Sequence, residues 1–343
     1  MSTVVIAFDV GGTNTRARVS SIPESGAPRQ IREDITSPMG SAGGLYDFIS
    51  HVVEIAKGDG PVGSAVVAVA GPVNGGESRL TNWPSDPVVS LKELELAGLP
   101  PGRTQLVNDV VAGAWGSLAR IEAGAPDTLL ERPDRGHGDV SGLGEGNLVY
   151  VAPGTGLGAA ALVRHHLGPL GATAVGCEAQ HAQMPSFADP IKEVSDALAV
   201  SLGSAPSWED LVSGRGLTRI YDALCSLASK APLHHHGDDA SRAGSVASAA
   251  LHGEDPQAVA AVDVFYRVLG YFAQTLALSF LPCATVVIGG ASTQSNLALV
   301  RRGGLAEAFA DNRRFGELLA NTPVHTVGGE VNLEGGVWLA SRA

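Results

Sequence analysis

The sequence predicts an α/β protein of two domains, and three observations support this prediction. The chain has 343 residues, more than a single compact core usually holds. Apolar residues make up 44% of the chain and charged residues 17%, which is typical of a globular protein with large buried sheets. Short apolar runs of strand character alternate with longer helical patterns, as in mixed or parallel sheets flanked by helices.

Four apolar runs are predicted as strands because they are short, rich in β-branched residues and closely followed by glycine or proline. They are residues 3–8, 64–70, 147–152 and 284–288. Two longer segments, 110–121 and 259–281, carry apolar residues at helical spacing. Two polar, glycine-rich stretches, 131–147 and 230–245, are predicted to be surface loops.

Charge, cysteine content and the N-terminal segment argue against several classes of protein. The net charge is −12 and no stretch clusters Lys and Arg, so we expect no nucleic-acid partner. Cys177, Cys225 and Cys283 are odd in number and widely spaced, which predicts a reducing compartment. No apolar run approaches the length of about 18 residues that a membrane helix needs, and the first strand follows Met1 without a basic segment. We therefore predict a cytoplasmic protein without a membrane partner.

One strand-turn-strand pattern occurs twice along the chain. Residues 4–19 and 148–163 both consist of an apolar run, a glycine-rich turn and a second apolar run. After Gly12 the residues alternate in character with the period of a strand, so the turn is predicted to close a hairpin. A strand-to-helix turn of the dinucleotide-binding kind is therefore not expected.

The first glycine-rich turn contains Asp9, Gly11, Gly12, Thr13 and Asn14. Its glycines are predicted to adopt positive φ, so that successive N–H groups form a concave anion site that a phosphate can occupy. A carboxylate such as Asp9 is tolerated beside phosphates when Mg²⁺ lies between them. The alternative interpretation is an ordinary hairpin with an Asx turn.

Two further glycine turns follow later in the chain. The second, formed by Gly154, Thr155, Gly156 and Leu157, repeats the features of the first, and two such turns can hold a triphosphate from opposite sides. The third, Gly289-Gly290, follows the last predicted strand and could admit the flat face of a nucleoside. The G-K-[ST] sequence of a P-loop is absent.

At Asn108-Asp109 a predicted strand passes into a predicted helix. Asn and Asp are preferred helix N-caps, so a purely structural role is one interpretation. The functional interpretation uses the same geometry, because the positive end of a helix dipole keeps a carboxylate ionised. An ionised Asp109 near a sugar hydroxyl could accept its proton as a general base, and Asn108 offers both a donor and an acceptor.

Glu178 and His181 place a carboxylate and an imidazole within four residues, and Glu209 follows as a further acid. Such groups suit the adjacent hydroxyls of a sugar. Cys177 beside them raises the alternative of a zinc site, although structural zinc normally needs more Cys or His ligands at close spacing. For Glu209 the alternative is a carboxylate in the first turn of a helix.

Taken in order, these motifs resemble the bacterial glucokinase family of the actin, sugar-kinase and Hsp70 superfamily. The matching segments run through nearly the whole chain, and the ordered set is more specific than any one member. They are DVGGTN (9–14), AGPV (70–73), LTNW (80–83), LVNDVVAGAWG (106–116), APGTGLG (152–158), GCEAQHAQMP (176–185), EDLVSGRGLTRIYDAL (209–224) and VVIGGA (286–291).

The resemblance implies an α/β, two-domain actin-like (ribonuclease H-like) sugar kinase fold with an interdomain cleft. It implies a small domain of residues 1–108 with 325–343 and a large domain of residues 109–324. It also implies ATP-dependent phosphorylation of glucose to glucose 6-phosphate with Mg²⁺, in a homodimer. The alternatives are a kinase for another hexose or an amino sugar, and a sugar-sensing regulator without catalysis.

The resemblance also implies a role for each motif residue. Asp109 would be the catalytic base, and Asp9 a possible Mg²⁺ ligand through water. The remaining residues fall into two groups. Those expected to contact the sugar are Asn108, Glu178, His181, Glu209, Thr81 and Asn82. Those expected to contact ATP are Gly11, Gly12, Thr13, Asn14, Gly154, Thr155, Gly156, Leu157, Gly289 and Gly290.

The chain departs from the family pattern beside the predicted sugar ligands. The family usually has two glycines between the Glu and the His, whereas Ala179-Gln180 stand here. This difference allows an altered sugar preference. The cysteine-rich zinc motif of the related repressor and open-reading-frame kinase group is absent from the sequence, which favours the glucokinase branch.

Overall fold

The computed structural model describes residues 3–23, 26–80, 83, 85–124, 128–129, 146–166 and 170–343. Its strands are β1 (Thr3–Val10), β2 (Asn14–Ile22), β3 (Arg29–Gln30), β4 (Ile35–Pro38), β5 (Val62–Val69), β6 (Val73–Asn74), β7 (Glu77–Arg79), β8 (Val88–Ser90), β9 (Thr104–Asn108), β10 (Thr128–Leu129), β11 (Asn147–Pro153), β12 (Leu157–Arg164), β13 (Ala172–Cys177), β14 (Cys283–Ile288) and β15 (Val324–Thr326).

The helices are α1 (Ala42–Lys57), α2 (Leu91–Leu96), α3 (Asp109–Glu122), α4 (Ile191–Leu202), α5 (Trp208–Leu211), α6 (Gly214–Leu227), α7 (Asp239–His252), α8 (Pro256–Ser279), α9 (Ala291–Ser295), α10 (Leu297–Val300), α11 (Gly304–Ala310), α12 (Gly316–Asn321) and α13 (Val331–Ala340). A short 3₁₀ turn covers Ala179–His181. Within the described residues, no helix is both long and apolar enough to span a membrane.

Side-chain caps explain where several helices begin. Ser41 accepts the Gly44 N–H at the start of α1, and Asn108 accepts the Val110 N–H at the start of α3. Asp255 caps α8, whose first residue is proline. These side chains satisfy amide groups that have no partner within the helix.

The chain forms two compact units. The first comprises Met1–Ala125, Leu162–Gly176 and Glu330–Ala343, and the second comprises Pro126–Ala161 and Cys177–Gly329. The sequence prediction instead divides the chain after residues 108 and 324. The two divisions differ at α3, which packs against α13 and belongs with the first unit. They also differ at Leu162–Gly176, which belongs with the first unit too.

In the first unit the sheet has the order β3-β2-β1-β5-β9, with β4 on β2. β1, β5 and β9 are parallel, whereas β2 runs antiparallel to β1. One face of this sheet carries an apolar core that α1 and α2 complete. The other face meets α13, where a Cβ at Gly336 would lie 2.8 Å from the Cβ of Ala7.

Most of another sheet, which has the order β10-β15-β14-β11-β12-β13, lies in the second unit. β11, β14 and β15 are parallel. The long helix α8 packs with α6, α7 and α11, and its apolar residues form the centre of the larger core. A small sheet in the first unit, β6-β7-β8, has antiparallel pairing.

The predicted elements are largely confirmed. All four predicted strands are present, and the two predicted helices correspond to α3 and α8. Both glycine turns join neighbouring strands, β1 to β2 and β11 to β12, as the repeat predicts. The loop predicted over 230–245 is wrong beyond residue 238, because Asp238 caps α7 there. The other predicted loop lies outside the described residues from 131 to 145 and ends at β11.

The contact between α3 and α13 depends on glycine. A Cβ at Gly335 of α13 would overlap the carbonyl oxygen of Ala112 in α3, and a Cβ at Gly116 would overlap the carbonyl oxygen of Val331. These glycines therefore allow the two helix backbones to approach closely.

We predict that Gly335→Ala lowers the free energy of unfolding by about 3 kcal/mol or more, since backbone atoms must move to accommodate the methyl group. Urea denaturation measures this change. Gly244→Ala is the matched control, because Gly244 is also helical and its Cβ would meet no atom within 4 Å. That control should gain about 0.5–1 kcal/mol from helix propensity. Equal stability of the two variants would contradict the packing argument.

Candidate functional site

In the first unit, strand register gathers three predicted motifs at one edge of the sheet. Val10 of β1 pairs with Val69 of β5, and Val69 pairs with Asn108 of β9. The turns that follow these strands therefore leave the sheet side by side, with neighbouring strands about 4.8 Å apart. The carboxyl edge of parallel strands is where α/β proteins usually bind ligands.

Asn108 joins two of these motifs. Its Oδ1 accepts the Val110 N–H at 3.0 Å, which caps α3, and its Nδ2 donates to the carbonyl oxygen of Gly71 at 2.9 Å. The predicted helix cap is thus confirmed. The second contact fixes the turn after β5 against the start of α3.

Asp109 is the first residue of α3 and is partly buried. Its Oδ1 accepts the Val110 N–H at 2.9 Å. The positive end of the helix dipole lies beside this carboxylate and favours its ionised form. An ionised carboxylate held in this way is suited to accept a proton.

Asp9 lies near the end of β1 and faces α13. Asn332 of α13 donates from its Nδ2 to Asp9 Oδ1 at 3.2 Å. Burial raises the pKa of the Asp9 carboxyl above its usual value, with the hydrogen bond from Asn332 opposing this shift. Glu330 also raises this pKa and Arg16 lowers it; these two residues form an ion pair of 2.5 Å.

The first glycine turn is a tight hairpin with exposed side chains. Gly11 N–H donates to the Asn14 carbonyl at 2.9 Å, and the Thr13 carbonyl accepts the Met39 N–H at 2.8 Å. Thr13 and Asn14 are exposed, so their polar groups can reach a ligand. Gly12, which lies between Gly11 and Thr13, is partly buried.

In the second unit, the second glycine turn binds Glu209. Leu157 N–H donates to Glu209 Oε2 at 2.9 Å, and a Cβ at Gly156 would lie 2.6 Å from the same oxygen. Gly154 accepts the Gly214 N–H at 2.9 Å, while Thr155 is exposed. The structure thus brings a predicted sugar ligand against a predicted phosphate turn.

Glu209 also lies in the first turn of α5, as the alternative interpretation predicted. Ser207 and Asp210 form a capping box there. This leaves the Glu209 side chain available for the contact with Leu157. The helical position and the contact with the turn are therefore compatible.

Glu178 precedes the 3₁₀ turn and His181 is its last residue. The turn packs against α5. His181 Nε2 lies 3.4 Å from Glu178 Oε2. Both side chains are more than half exposed, so they can meet a ligand. Cys177 Sγ contacts the Ala159 carbonyl at 3.7 Å. In the described segments no group of three or more His, Cys, Asp or Glu side chains is arranged to hold a metal ion.

The third glycine turn packs on the end of β11. Gly290 has a φ of 93°, and its Cβ would lie 2.5 Å from the Pro153 carbonyl oxygen. A Cβ at Gly289 would overlap the hydroxyl of Tyr150. Ser292 donates to the same Pro153 carbonyl at 3.1 Å. The third turn therefore lies next to the second.

The positive φ predicted for the glycines of the first two turns is wrong for Gly11, Gly154 and Gly156. In the third turn Gly290 has a positive φ and Gly289 does not. At Gly156 and Gly289 the requirement is close approach by another residue rather than an unusual backbone conformation.

Thr81 and Asn82 lie outside the described residues. The sequence analysis did not name Asn332 or Gln180 as candidate site residues. Only Gln180 could have been found from sequence, because it lies between Glu178 and His181.

Comparison with known proteins places this geometry in context. The model of the family described as glucokinase matches residues 6–341. A glucokinase of Stenotrophomonas maltophilia (strain K279a) is 30% identical over 332 residues, which cover 93% of this chain and 89% of that protein.

Solved structures show the same fold. Glucokinase from Balamuthia mandrillaris in complex with glucose has a TM-score of 0.80 at 22% identity, over 99% of this chain and 94% of that one. A ROK family glucokinase from Streptomyces griseus in complex with glucose and AMPPNP has a TM-score of 0.62 at 23% identity, over 99% and 100%. These similarities confirm the predicted actin-like sugar kinase fold.

The contact between Glu209 and Leu157 can be tested by a double-mutant cycle. We predict that Glu209→Ala lowers the free energy of unfolding by about 1.5 kcal/mol or more, the usual contribution of a hydrogen bond to a charged group. In the Gly156→Ala background the same change should cost less than half as much, because the methyl group already displaces the carboxylate. Urea denaturation of the four proteins measures both costs. Equal costs would show that the contact contributes nothing.

Proposed function

Because the chain belongs to the glucokinase family, as its match over residues 6–341 shows, we propose that it transfers the γ-phosphate of ATP to the 6-hydroxyl of glucose. The observation that carries this proposal is Asp109. Its partly buried carboxylate begins α3 at the sheet edge where the turn after β1 also leaves. A general base beside a phosphate-binding turn is what sugar phosphorylation requires.

In the proposed reaction, the glucose 6-hydroxyl oxygen attacks the γ-phosphorus in line with the departing oxygen of ADP. Asp109 accepts the hydroxyl proton as the new O–P bond forms. Most of the rate enhancement comes from positioning, because the protein does little covalent chemistry in phosphoryl transfer. Exclusion of water prevents ATP hydrolysis from competing.

The sugar is proposed to be held by carboxylates, an imidazole and amides. Glu178, His181 and Glu209 would accept from or donate to its hydroxyls, together with Asn108. Thr81 and Asn82 are proposed as further contacts on the basis of the family resemblance alone. Support comes from the packing of the 3₁₀ turn against α5, which brings Glu178 and His181 close to the helix that carries Glu209.

The nucleotide is proposed to be held mainly by backbone amides. The turns at 11–14 and 154–157 would contact the phosphates, and Gly289-Gly290 would lie near the adenosine. Backbone N–H groups stabilise phosphate charge without reorganisation during the reaction. The packing of the third turn on Pro153 supports its assignment to the same nucleotide as the second turn.

Asp9 fits a role toward Mg²⁺. Its Oδ1 is held by Asn332. Mg²⁺ prefers oxygen ligands and is usually bound by one or two carboxylates together with the phosphates of the substrate. Asp9 would hold the ion through a water molecule. When bound, the ion would neutralise phosphate charge during transfer.

A kinase for another hexose or an amino sugar is the second candidate. The observation that favours it is Ala179-Gln180 between the two proposed sugar ligands. A coupled assay with Mg-ATP and a sugar panel decides between the candidates by kcat/KM. We expect glucose to have the highest value, and a higher value for another sugar would contradict the assignment.

A homodimer and a cytoplasmic location complete the proposal. Both are supported by the family resemblance, and the location also by the widely spaced cysteines. Light scattering of the purified protein measures the mass that distinguishes a dimer from a monomer.

We predict that Asp109→Asn lowers kcat by about 10²- to 10⁴-fold, the usual contribution of a general base. Asparagine keeps an oxygen that can accept the Val110 N–H, so the fold and the glucose KM should change little. Steady-state kinetics and thermal unfolding measure the two effects. Near-normal turnover in this variant would remove Asp109 from the catalytic role.

We predict that Asp9→Asn is at least as stable as the wild type at pH 7 but less active. Burial raises the pKa of Asp9, so the folded state binds the proton more tightly than the unfolded state. The wild type therefore loses stability as pH rises from about 4 toward the raised pKa, and the asparagine variant does not. We expect kcat/KM for Mg-ATP to fall by about 10-fold or more. Unchanged kinetics at varied Mg²⁺ would contradict the assigned role.

A further inference from the structure

The segment between Glu178 and His181 contains a buried amide beneath two exposed side chains. Gln180 is only 5% exposed, whereas the side chains of Glu178 and His181 are 55% and 57% exposed. All three lie in or beside the same 3₁₀ turn. A glutamine is seldom buried to this extent unless its amide has a specific partner.

The partner of this amide is the carboxylate of Glu178. Gln180 Nε2 donates to Glu178 Oε2 at 2.6 Å, a short, charge-assisted hydrogen bond. His181 Nε2 lies 3.4 Å from the same oxygen. Within the described residues no hydrogen bond reaches Glu178 Oε1. One oxygen of the carboxylate is therefore held by the protein, and the other has no hydrogen-bond partner among the described residues, in a side chain that is 55% exposed.

The orientation of the Gln180 amide is determined by this contact. Its Oε1 is buried and has no hydrogen-bond partner within the part of the chain that the structure describes. Turning the amide over would place that oxygen against a carboxylate, which is repulsive. A buried carbonyl without a donor is uncommon and unfavourable. The amide thus leaves its own acceptor unsatisfied while its donor end holds Glu178.

We propose that Gln180 is a positioning residue that fixes the carboxylate of Glu178, so that a single oxygen in a set direction meets a hydroxyl of the sugar. This inference rests on the proposed function, since it takes Glu178 as a sugar ligand. A flexible glutamate would lose rotamer freedom when the sugar binds, and Gln180 removes part of that cost beforehand. The hydrogen bond from Gln180 orients Glu178 equally in the ground state and in the transition state of phosphoryl transfer. Its loss should therefore change the glucose KM rather than kcat.

The first test is Gln180→Met, which preserves an unbranched side chain of similar length and removes the donor. We expect the glucose KM to rise about 2- to 10-fold, the effect of releasing one side chain. Values of kcat should remain within about twofold and the ATP KM should not change. Gln183→Met is the matched control, because Gln183 is an exposed glutamine three residues further along, and it should leave the glucose KM unchanged.

The second test separates positioning from a general loosening of the fold. In a Glu178→Ala background, Gln180→Met should leave kcat/KM for glucose unchanged, because the residue through which Gln180 acts is missing. An equal loss in both backgrounds, a parallel rise in the ATP KM, or an unchanged glucose KM in the single variant would overturn the proposal.

Two further outcomes are distinguishable. If Gln180→Met does not fold, Gln180→Glu is used instead. The introduced glutamate side chain has the same shape as glutamine, but its carboxylate repels that of Glu178. Gln180→Glu should therefore raise the glucose KM more than the loss of one hydrogen bond does. A normal glucose KM in Gln180→Glu would overturn the inference. If the wild type makes no glucose 6-phosphate, the proposed function fails. If the wild type is active and the Gln180 variants match it, only the present inference fails.

Discussion

The parallel register of three strands is the constraint on which the positions of the first unit's candidate residues depend. Val10, Val69 and Asn108 occupy one row of the sheet, so the turns after β1, β5 and β9 leave at the same edge. Asn108 then joins two of these turns through Gly71. A shift of β9 by one residue would turn Asn108 to the opposite face of the sheet and move the start of α3. The position of Asp109 is therefore a consequence of strand pairing.

The four candidate carboxylates share one arrangement, in which the protein holds an oxygen of each. Leu157 holds Glu209, Gln180 holds Glu178 and Asn332 holds Asp9, and the Val110 amide holds Asp109. Donors fixed in this way orient a carboxylate before a ligand arrives. The arrangement explains how partly exposed acidic groups in an acidic protein can have defined directions.

Local patterns were sufficient to predict four strands, the two hairpins and the cap at Asn108, because each depends on residues close in sequence. Contacts between distant residues were not predictable in this way. Asn332 meets Asp9 across 323 positions and Glu209 meets Leu157 across 52, and neither pairing has a periodic signal. The φ of glycine was mispredicted at Gly156 because a side chain from α5, rather than the turn itself, requires the missing Cβ. The inclusion of α3 in the first unit likewise depends on its packing against α13, and the sequence analysis did not predict it.

The most direct test of the account is a crystal structure of the protein with glucose and a non-hydrolysable ATP analogue. The account predicts that the glucose 6-hydroxyl oxygen lies about 2.6–3.2 Å from a carboxylate oxygen of Asp109, the range for a general base, with the γ-phosphate analogue on its other side. A complex in which the 6-hydroxyl contacts no carboxylate, or in which Asp109 faces solvent while both ligands are bound, would contradict it.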